Sequence, residues 1–429
     1  MHAMYEVEPV DSVERACLVG FEDTTPVHNG RNVSLEELRA LVTTAGAIPV
    51  AELVCKPEPL NPASCIGRGK AHELATLCKT EDVHLVVIDG DLSPAQARNL
   101  ERITDAKIVD RTGVILEIFA QRARSREGKL QVELAQLEYL LPRLTRMWTH
   151  LSRQYGGMGT RGPGETQLEV DRRTVQRRIR RLHDLLEQVR KQRATQRKQR
   201  QQSLTPVIAI VGYTNAGKST LLHTLTQAEV LIEDKLFATL DPTTRLYRMS
   251  SGERYLLVDT VGFIRNLPHR LVEAFKATLE EVHEADVILH IADAAVADLD
   301  EQIESVHRVL KELDADDKPQ LLALNKIDRL SHRARKLREA NHPGAALISA
   351  QYGYGFADLF TKLKAVVPVQ RSLTRLRLPP HKSELLSRIY EQGYVLSADY
   401  REDAILVEAL VPESLKAETR RYRVKSDAA

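Results

Sequence analysis

The sequence predicts an α/β protein with an N-terminal parallel α/β domain that carries a long antiparallel helical hairpin, a second α/β domain, and a small α+β domain at the C-terminus. Three observations predict it. Strand-like runs alternate with capped helical runs from Glu14 to about Arg111, and two heptad-spaced apolar seams flank a glycine-rich stretch. A second alternation begins at Val207 and lasts to about Val367, before a βαββα pattern that runs to Ala429. At roughly 150 residues per domain the chain amounts to about three domains. The predicted boundaries are 1–128 for the N-terminal α/β part, 129–203 for the hairpin, 204–368 for the second α/β domain and 369–429 for the small one.

In the first part, Ala16–Gly20, Ile48–Val54, Val83–Asp89 and Ala106–Val109 are rich in Val, Ile and Leu and read as buried strands. Between them, Ser34 with Glu37, and Ser93 with Pro94 and Gln96, have the spacing of capping boxes. Strands alternating with helices imply a parallel sheet. From Leu130 the period changes: Leu130, Leu134, Leu137, Leu141, Leu144, Trp148 and Leu151 recur at alternating steps of four and three, a coiled-coil seam. Pro142 falls inside it and should kink the helix. A second seam runs through Val175, Ile179, Leu182, Leu186 and Val189. Gly156, Gly157, Gly159, Gly162, Pro163 and Gly164 lie between the seams, a stretch no helix tolerates, so the economical reading is a hairpin with a glycine-rich tip. Gln131–Leu151 as a single helix would run roughly 30 Å.

Composition removes several functions. Lys and Arg number 61 against 59 Asp and Glu, a net charge of +2, so any nucleic-acid surface is local. The positive charge is concentrated at Asp171–Arg200, where twelve basic residues stand against three acids. The longest apolar runs, such as Val83–Ile88 and Val287–Ile291, fall well short of the roughly 20 residues of a membrane span, and Met1–Pro9 is acidic where a signal peptide is basic. This points to a cytoplasmic chain with no membrane span. Cys17, Cys55, Cys65 and Cys78 form no CxxC pair and read as reduced thiols. His150, His183 and the other histidines lack metal-ligand spacing, and no nucleophile–histidine arrangement is readable.

Chemistry is concentrated in the second α/β domain. Val207–Val211 is an apolar strand run, followed at once by Gly212-Tyr213-Thr214-Asn215-Ala216-Gly217-Lys218-Ser219, after which Thr220 opens a helix to Thr226. This is G-x-x-x-x-G-K-S in the strand–loop–helix setting that a phosphate-binding loop requires. Its glycines let backbone amides turn toward a β-phosphate, Lys218 neutralises β/γ charge, and the Ser219 hydroxyl can ligate Mg2+. Asn325-Lys326-Ile327-Asp328 follows the apolar run Leu321–Leu324. A carboxylate at Asp328 accepts from both N1–H and the exocyclic amine of guanine, whereas adenine has no N1 proton. Asn325 would hold the base edge and the P-loop, Lys326 would lie along the base, and Ser349-Ala350 could give a backbone amide to the guanine oxygen.

Asp259-Thr-Val-Gly262 closes the run Tyr255–Val258 and supplies a carboxylate on the magnesium side and a glycine amide for the γ-phosphate. Between the two motifs lies Phe237-Ala-Thr-Leu-Asp241, where Thr239 would bind Mg2+ and sense the γ-phosphate; Thr243 and Thr244 compete for that role. Five elements in this order define a P-loop GTPase domain binding GTP and GDP. Its candidate metal ligands are Ser219, Thr239 and Asp259, and its candidate catalytic groups include Lys218, Thr239 and Gly262. Gly212–Thr220, Phe237, Asp259, Asn325, Lys326, Asp328, Ser349 and Ala350 complete the nucleotide contacts.

These motifs, together with Gln131-Val-Glu-Leu-Ala-Gln-Leu137, Arg161-Gly-Pro-Gly-Glu-Thr-Gln-Leu-Glu169, Asp171-Arg-Arg173 and Phe237-Ala-Thr-Leu-Asp-Pro-Thr-Thr-Arg245, resemble the HflX family of TRAFAC GTPases over nearly the whole chain. The resemblance implies a cytoplasmic GTPase that binds the large ribosomal subunit and splits stalled or stress-damaged ribosomes, with the glycine-rich tip reaching toward the peptidyl-transferase region. Phe263 stands where Ras-like enzymes place a water-orienting glutamine, so unaided hydrolysis should be slow and depend little on this side chain. Asn215 either helps to hold a K+ ion that replaces an arginine finger, which would make it catalytic, or merely braces the loop.

The basic stretch is either a solvated helix face or a surface for ribosomal RNA, with Arg161, Arg172, Arg173, Arg177, Arg178 and Arg181 as the candidate contacts. Aromatic residues are nearly absent there, which argues against base stacking. Gly67-Arg68-Gly69-Lys70 is a lesser phosphate-binding candidate. The expectation is a monomeric, ribosome-associated GTPase with no DNA partner. The alternative is a switch acting on protein effectors, with the hairpin as a coiled-coil module; an ATP-driven RNA remodeller lacks a second P-loop.

Overall fold

The computed structural model describes residues 14–22, 33–56, 61–144, 167–201, 205–226, 236–249, 253–265, 281–367, 371–401 and 403–424. The chain forms two compact units: Met1–Gln188 with Glu233–Asp241 and Asn266–Lys276, and Val189–Ile232 with Pro242–Arg265 and Ala277–Ala429. Among the described residues, no helix is long and apolar enough to cross a membrane.

In the first unit, β1 (Arg15–Phe21), α1 (Val33–Ala45), β2 (Ile48–Cys55), α2 (Arg68–Thr80), β3 (Leu85–Ile88), α3 (Pro94–Thr104), β4 (Lys107–Asp110) and α4 (Arg111–Arg122) alternate as the sequence predicts. The strands pair in the order β2-β1-β3-β4, all parallel. Cys17, Val19, Leu53, Val86 and Ile88 pack with Leu74 of α2 and Leu100 of α3 in one core. All four cysteines are free and buried in it. Burial pushes the Cys17 thiol up to about 12, which keeps it protonated and unreactive.

The capping box at Ser93 forms: its hydroxyl accepts from Gln96 N at 3.2 Å, and the Gln96 side chain accepts from Ser93 N at 2.9 Å. The one at Ser34 does not mark the helix start, because α1 already begins at Val33 and Ser34 sits in its first turn. Arg111, almost fully buried, is neutralised by Glu37 at 3.0 Å and Asp89 at 2.7 Å. The carboxylate of Asp110 caps α4 through Gly113 N and also accepts from Tyr139 Oη at 2.8 Å and Arg143 Nη2 at 2.7 Å.

Tyr139 lies on α5 (Arg126–Leu140), and here one expectation is corrected. Pro142 does not kink a continuing helix: α5 ends at Leu140 and the chain turns through Leu141–Arg143. Proline lacks the N–H that another turn would need, and its ring opposes the carbonyl four residues earlier. Trp148, Leu151, the glycine-rich tip and Arg161 lie outside the described residues. The second seam is present on α6 (Gln167–Gln201), where Leu182 is buried and Val175, Ile179, Leu186 and Val189 are half-buried. Arg178 of α6 makes a two-pronged pair with Glu133 of α5, at 2.6 and 2.8 Å, and His183 lies 3.4 Å from Glu138.

The second unit is built on β5 (Val207–Gly212), α7 (Lys218–Thr226), β6 (Thr243–Arg248), β7 (Arg254–Asp259), β8 (Val287–Asp293), α8 (Leu299–Glu312), β9 (Gln320–Asn325), α9 (His332–Asn341), β10 (Ala346–Leu347) and α10 (Phe356–Val366). The sheet order is β10-β9-β8-β5-β7-β6, parallel except for the edge strand β6. Ile208, Ile210, Leu257, Leu289 and Leu321 form its core with Leu221 and Leu222 of α7 and Leu359 and Leu363 of α10. The predicted βαββα tail appears as β11 (Arg371–Leu378), α11 (Ser383–Gln392), β12 (Tyr394–Tyr400), β13 (Ile405–Pro412) and α12 (Glu413–Thr419), an antiparallel sheet in the order β11-β13-β12.

His290, 2% exposed on β8, meets His307 edge-on with ring centroids 5.5 Å apart. Burial, then the neighbouring His307 and Lys218, bring its pKa from 6.5 down to about 3. The unfolded chain therefore takes up a proton near pH 6.5 that the folded chain refuses, so this contribution is complete above pH 6.5 and lost as pH falls toward 3. Unfolding free energy should fall between pH 6.5 and 4.5 by up to about 1.4 kcal/mol per unit from this group. Denaturant titrations of His290→Leu should give a visibly shallower slope; an unchanged slope would show that other groups set the acid sensitivity.

Candidate functional site

The parallel strands β5, β7, β8 and β9 end at Gly212, Asp259, Asp293 and Asn325, along the sheet edge where open α/β sheets place their ligands. The P-loop leaves β5 through Gly212 and turns back into α7. Its shape demands glycine at two points: Gly212 has φ +151° and Gly217 φ +96°, and a Cβ would overlap Ile291 O at the first and the Asn325 amide at the second. Asn215, at φ +60°, is exposed and takes the left-handed backbone that asparagine tolerates best among residues with a side chain. Lys218 is 6% exposed and its ammonium donates to Gly212 O at 3.1 Å and Tyr213 O at 2.8 Å. Burial brings its pKa down to about 8, against the opposing pull of Asp259.

The loop after β7 locks onto the P-loop by main chain. Phe263 N donates to Gly212 O at 3.1 Å, and Thr214 N donates to Phe263 O at 2.7 Å. Thr260 Oγ1 donates to Ile210 O at 2.8 Å. Gly262 faces the P-loop so closely that a Cβ would lie 2.9 Å from Thr214 Cα and 3.0 Å from Lys218 Nζ. The ring of Phe263 is 1% exposed, so it is a packing residue and reaches no solvent. Ser219 Oγ donates to Asp259 Oδ2 at 2.7 Å. A hydroxyl beside a buried carboxylate, next to a glycine-lined turn and a lysine, is a set of hard oxygens that fits Mg2+ and a polyphosphate.

The base-recognition residues are tied to the P-loop by Asn325, 2% exposed, whose Nδ2 donates to Ala216 O at 2.8 Å and whose Oδ1 accepts from Ala350 N at 2.8 Å. Lys326 adopts φ +63° and pairs with Asp293 at 2.8 Å. Asp328 accepts from Ser349 Oγ at 2.5 Å, and Ser349 N donates to Tyr354 O at 3.0 Å. The pair Ser349-Ala350 thus brackets the Asn325 and Asp328 side chains, with its own amides already given to Asn325 and Tyr354.

Two residues escaped the sequence reading. Asp293 anchors Lys326, and its signal was an acid closing the mostly apolar run of β8. Arg265 gives its amide to the Tyr213 hydroxyl at 2.7 Å and its guanidinium to Asp298 at 2.8 Å, a pairing across distant residues that no motif announces.

Thr243 and Thr244 are fixed in β6 opposite Asp259 and Val258. Thr239, by contrast, stands on the irregular stretch 238–240, which belongs to the first unit. Of the candidate RNA contacts, Arg172, Arg173, Arg177 and Arg181 are exposed on α6, whereas Arg178 is engaged by Glu133. Gly67 precedes α2, and Lys70 pairs with Glu73 at 2.9 Å.

Three family models match consecutive parts of the chain: "GTP-binding GTPase N-terminal" over residues 32–120, "GTP-binding GTPase Middle Region" over 122–200 and "50S ribosome-binding GTPase" over 207–326. A GTPase HflX of Escherichia coli (strain K12) is 48% identical over 359 residues, which cover 83% of this chain and 84% of the relative. One of Caldanaerobacter subterraneus subsp. tengcongensis is 45% identical over 389 residues, covering 91% and 90%. A crystal structure of a GTP-binding protein from Sulfolobus solfataricus in complex with GDP shares 25% identity at a TM-score of 0.42, covering 83% of this chain and 99% of that one. Identity near one half over more than four-fifths of the chain means that the chain belongs to the HflX family of GTPases, enzymes that bind GTP and hydrolyse it to GDP and phosphate.

Proposed function

We propose that this GTPase acts in the cytoplasm as a monomer, docks in its GTP state on the large ribosomal subunit, splits or rescues stalled ribosomes, and uses hydrolysis for release. The observation that carries the reading is the match of its nucleotide-binding part to the family described as 50S ribosome-binding GTPases. The exposed arginines of α6 support it, since they face solvent in a protein of nearly zero net charge. Phosphate contact of this kind is salt-sensitive and independent of base sequence, which suits folded RNA.

At the nucleotide, Lys218 would neutralise β/γ charge, the Gly262 amide would meet the γ-phosphate, and Asp328 would select guanine. Ser219, Asp259 and Thr239 would hold Mg2+, which when bound offsets the charge that develops on the phosphoryl oxygens. Asn215, exposed on the P-loop, would contribute to a K+ site. Nothing at Phe263 orients water, so the rate depends on what the partner supplies.

Asp328→Asn should weaken GTP binding by at least tenfold and improve binding of xanthosine triphosphate, because an amide donates where the carboxylate accepted. Undiminished GTP affinity in a nucleotide titration would remove Asp328 from base recognition. Phe263→Ala would open a cavity in a packed interior and confuse stability with chemistry, so Phe263→Leu is the informative variant. Its turnover should stay within about threefold of wild type, and exchanging K+ for Na+ should slow both proteins. A hundredfold loss in Phe263→Leu, or equal rates in the two salts, would contradict these assignments. Reversing Arg172, Arg177 and Arg181 to Glu while leaving the Arg178–Glu133 pair intact should abolish co-sedimentation with large subunits in the presence of a non-hydrolysable GTP analogue. Full binding by this variant would favour a switch that acts on protein effectors.

A further inference from the structure

The chain that leaves β7 at Asp259 carries Gly262 past the P-loop, and one side chain of the P-loop reaches over to hold it. Tyr213 is 7% exposed, and its hydroxyl accepts from Arg265 N at 2.7 Å. Its carbonyl serves the P-loop itself, accepting from Lys218 Nζ at 2.8 Å and from Ala216 N at 3.2 Å. Its main chain also forms a single parallel bridge with Phe263. One residue thus touches the buried lysine through its carbonyl and the far end of the Gly262 segment through its hydroxyl. All of these groups lie in the second unit.

The segment is fixed before Gly262 and again after it. Thr260 Oγ1 donates to Ile210 O at 2.8 Å on one side, and on the other Phe263 exchanges main-chain bonds with Gly212 and Thr214. Val261, Phe263 and Ile264 are all buried. Arg265 is then pinned twice: its amide by the Tyr213 hydroxyl, its guanidinium by Asp298 at 2.8 Å and by Glu301 at the start of α8. Position 262 needs this help. A Cβ there would overlap Thr214 and press on Lys218, so the residue must be glycine, the one with the most conformational freedom to lose. Stiffness cannot come from Gly262 and has to be supplied by its neighbours.

We propose that Tyr213, through its hydroxyl and seconded by the Arg265 guanidinium, is the positioning residue for Gly262. The inference rests on the reading of the Gly262 amide as a donor to the γ-phosphate. A loose segment loses conformational freedom when that amide engages, and the clamp removes part of the loss in advance. GDP has no γ-phosphate for Gly262 to meet, so the clamp acts on the preference for GTP over GDP. By linkage, whatever the clamp adds to GTP binding, GTP binding adds to the clamp, and the Arg265 amide must register the nucleotide.

The test uses the full chain with two variants, Tyr213→Phe and Arg265→Gln, and two readouts. Tyr213→Phe removes one oxygen and keeps the ring and every main-chain bond. Arg265→Gln keeps the amide and removes the ion pairs, so it carries the test should Tyr213→Phe fold poorly. Tyr213→Phe should bind a non-hydrolysable GTP analogue with Mg2+ about fivefold more weakly and GDP within about twofold of wild type. Arg265→Gln should weaken the analogue by about threefold, again sparing GDP. A residue that merely braced the P-loop would weaken both nucleotides alike. In the wild type, amide hydrogen exchange resolved to single residues should slow about tenfold at Gly262 and at Arg265 with the analogue and not with GDP; in Tyr213→Phe the slowing at Arg265 should vanish. Exchange at Gly262 separates the inference from the reading beneath it. If the analogue leaves Gly262 exchange unchanged in the wild type, the γ-phosphate role of Gly262 fails and the positioning role falls with it. If Gly262 slows in the wild type while the folded variants keep the wild-type preference, or lose GDP and analogue equally, the role of Gly262 stands and the positioning role of Tyr213 is overturned.

Discussion

One side-chain amide holds the nucleotide site together. Asn325 donates to Ala216 O in the P-loop and accepts from Ala350 N, while its neighbours Lys326 and Asp328 are fixed by Asp293 and Ser349. Phosphate grip and base recognition come from chain segments more than a hundred residues apart, and this buried amide makes them one object. The amide suits the task because it donates from one atom and accepts at another, and in a buried place a mismatched partner would be left unsatisfied. The main-chain exchange between Phe263 and the residues Gly212 and Thr214 does the same for the γ-phosphate side. The site is therefore largely preformed by hydrogen bonds that involve no ligand atom, as differential recognition of closely related nucleotides requires.

The strands, the P-loop and the order of the guanine motifs were legible because each rests on local chemistry: apolar runs of four to eight residues, glycines where φ must be positive, and a helix start after a strand. The βαββα tail was legible for the same reason. What the sequence misjudged was extent. The leucine spacing through Leu141 and Leu144 continues a seam on paper, but α5 ends at Leu140, just before a proline that lacks the N–H for the next helical bond. Ser34 misled by two residues, within the usual uncertainty of a helix end.

Partnerships across distance were legible only where a motif carried them, as with Asn325 and the P-loop. Arg178 reads as one more member of a basic run, yet in the fold it is neutralised by Glu133, whereas Arg177 and Arg181 beside it stay exposed. Arg111, between two carboxylates, and Asp110, which serves α4, Tyr139 and Arg143 together, are likewise products of packing. Phe263 is the clearest case. Judged by its neighbours in sequence it is a catalytic residue gone missing; judged by its burial it is a wedge under the P-loop.

Asn215 and Lys326 both carry left-handed backbone on a side-chain-bearing residue, one on each of the two loops that meet a nucleotide, and each is kept there by the hydrogen bonds around it. A loop held in a costly shape by its scaffold has few other shapes to relax into. Replacing a spent nucleotide with a fresh one then resembles changing a key in a cut lock. The metal of the lock does not soften between keys, and the pace of exchange is set by how fast the key leaves.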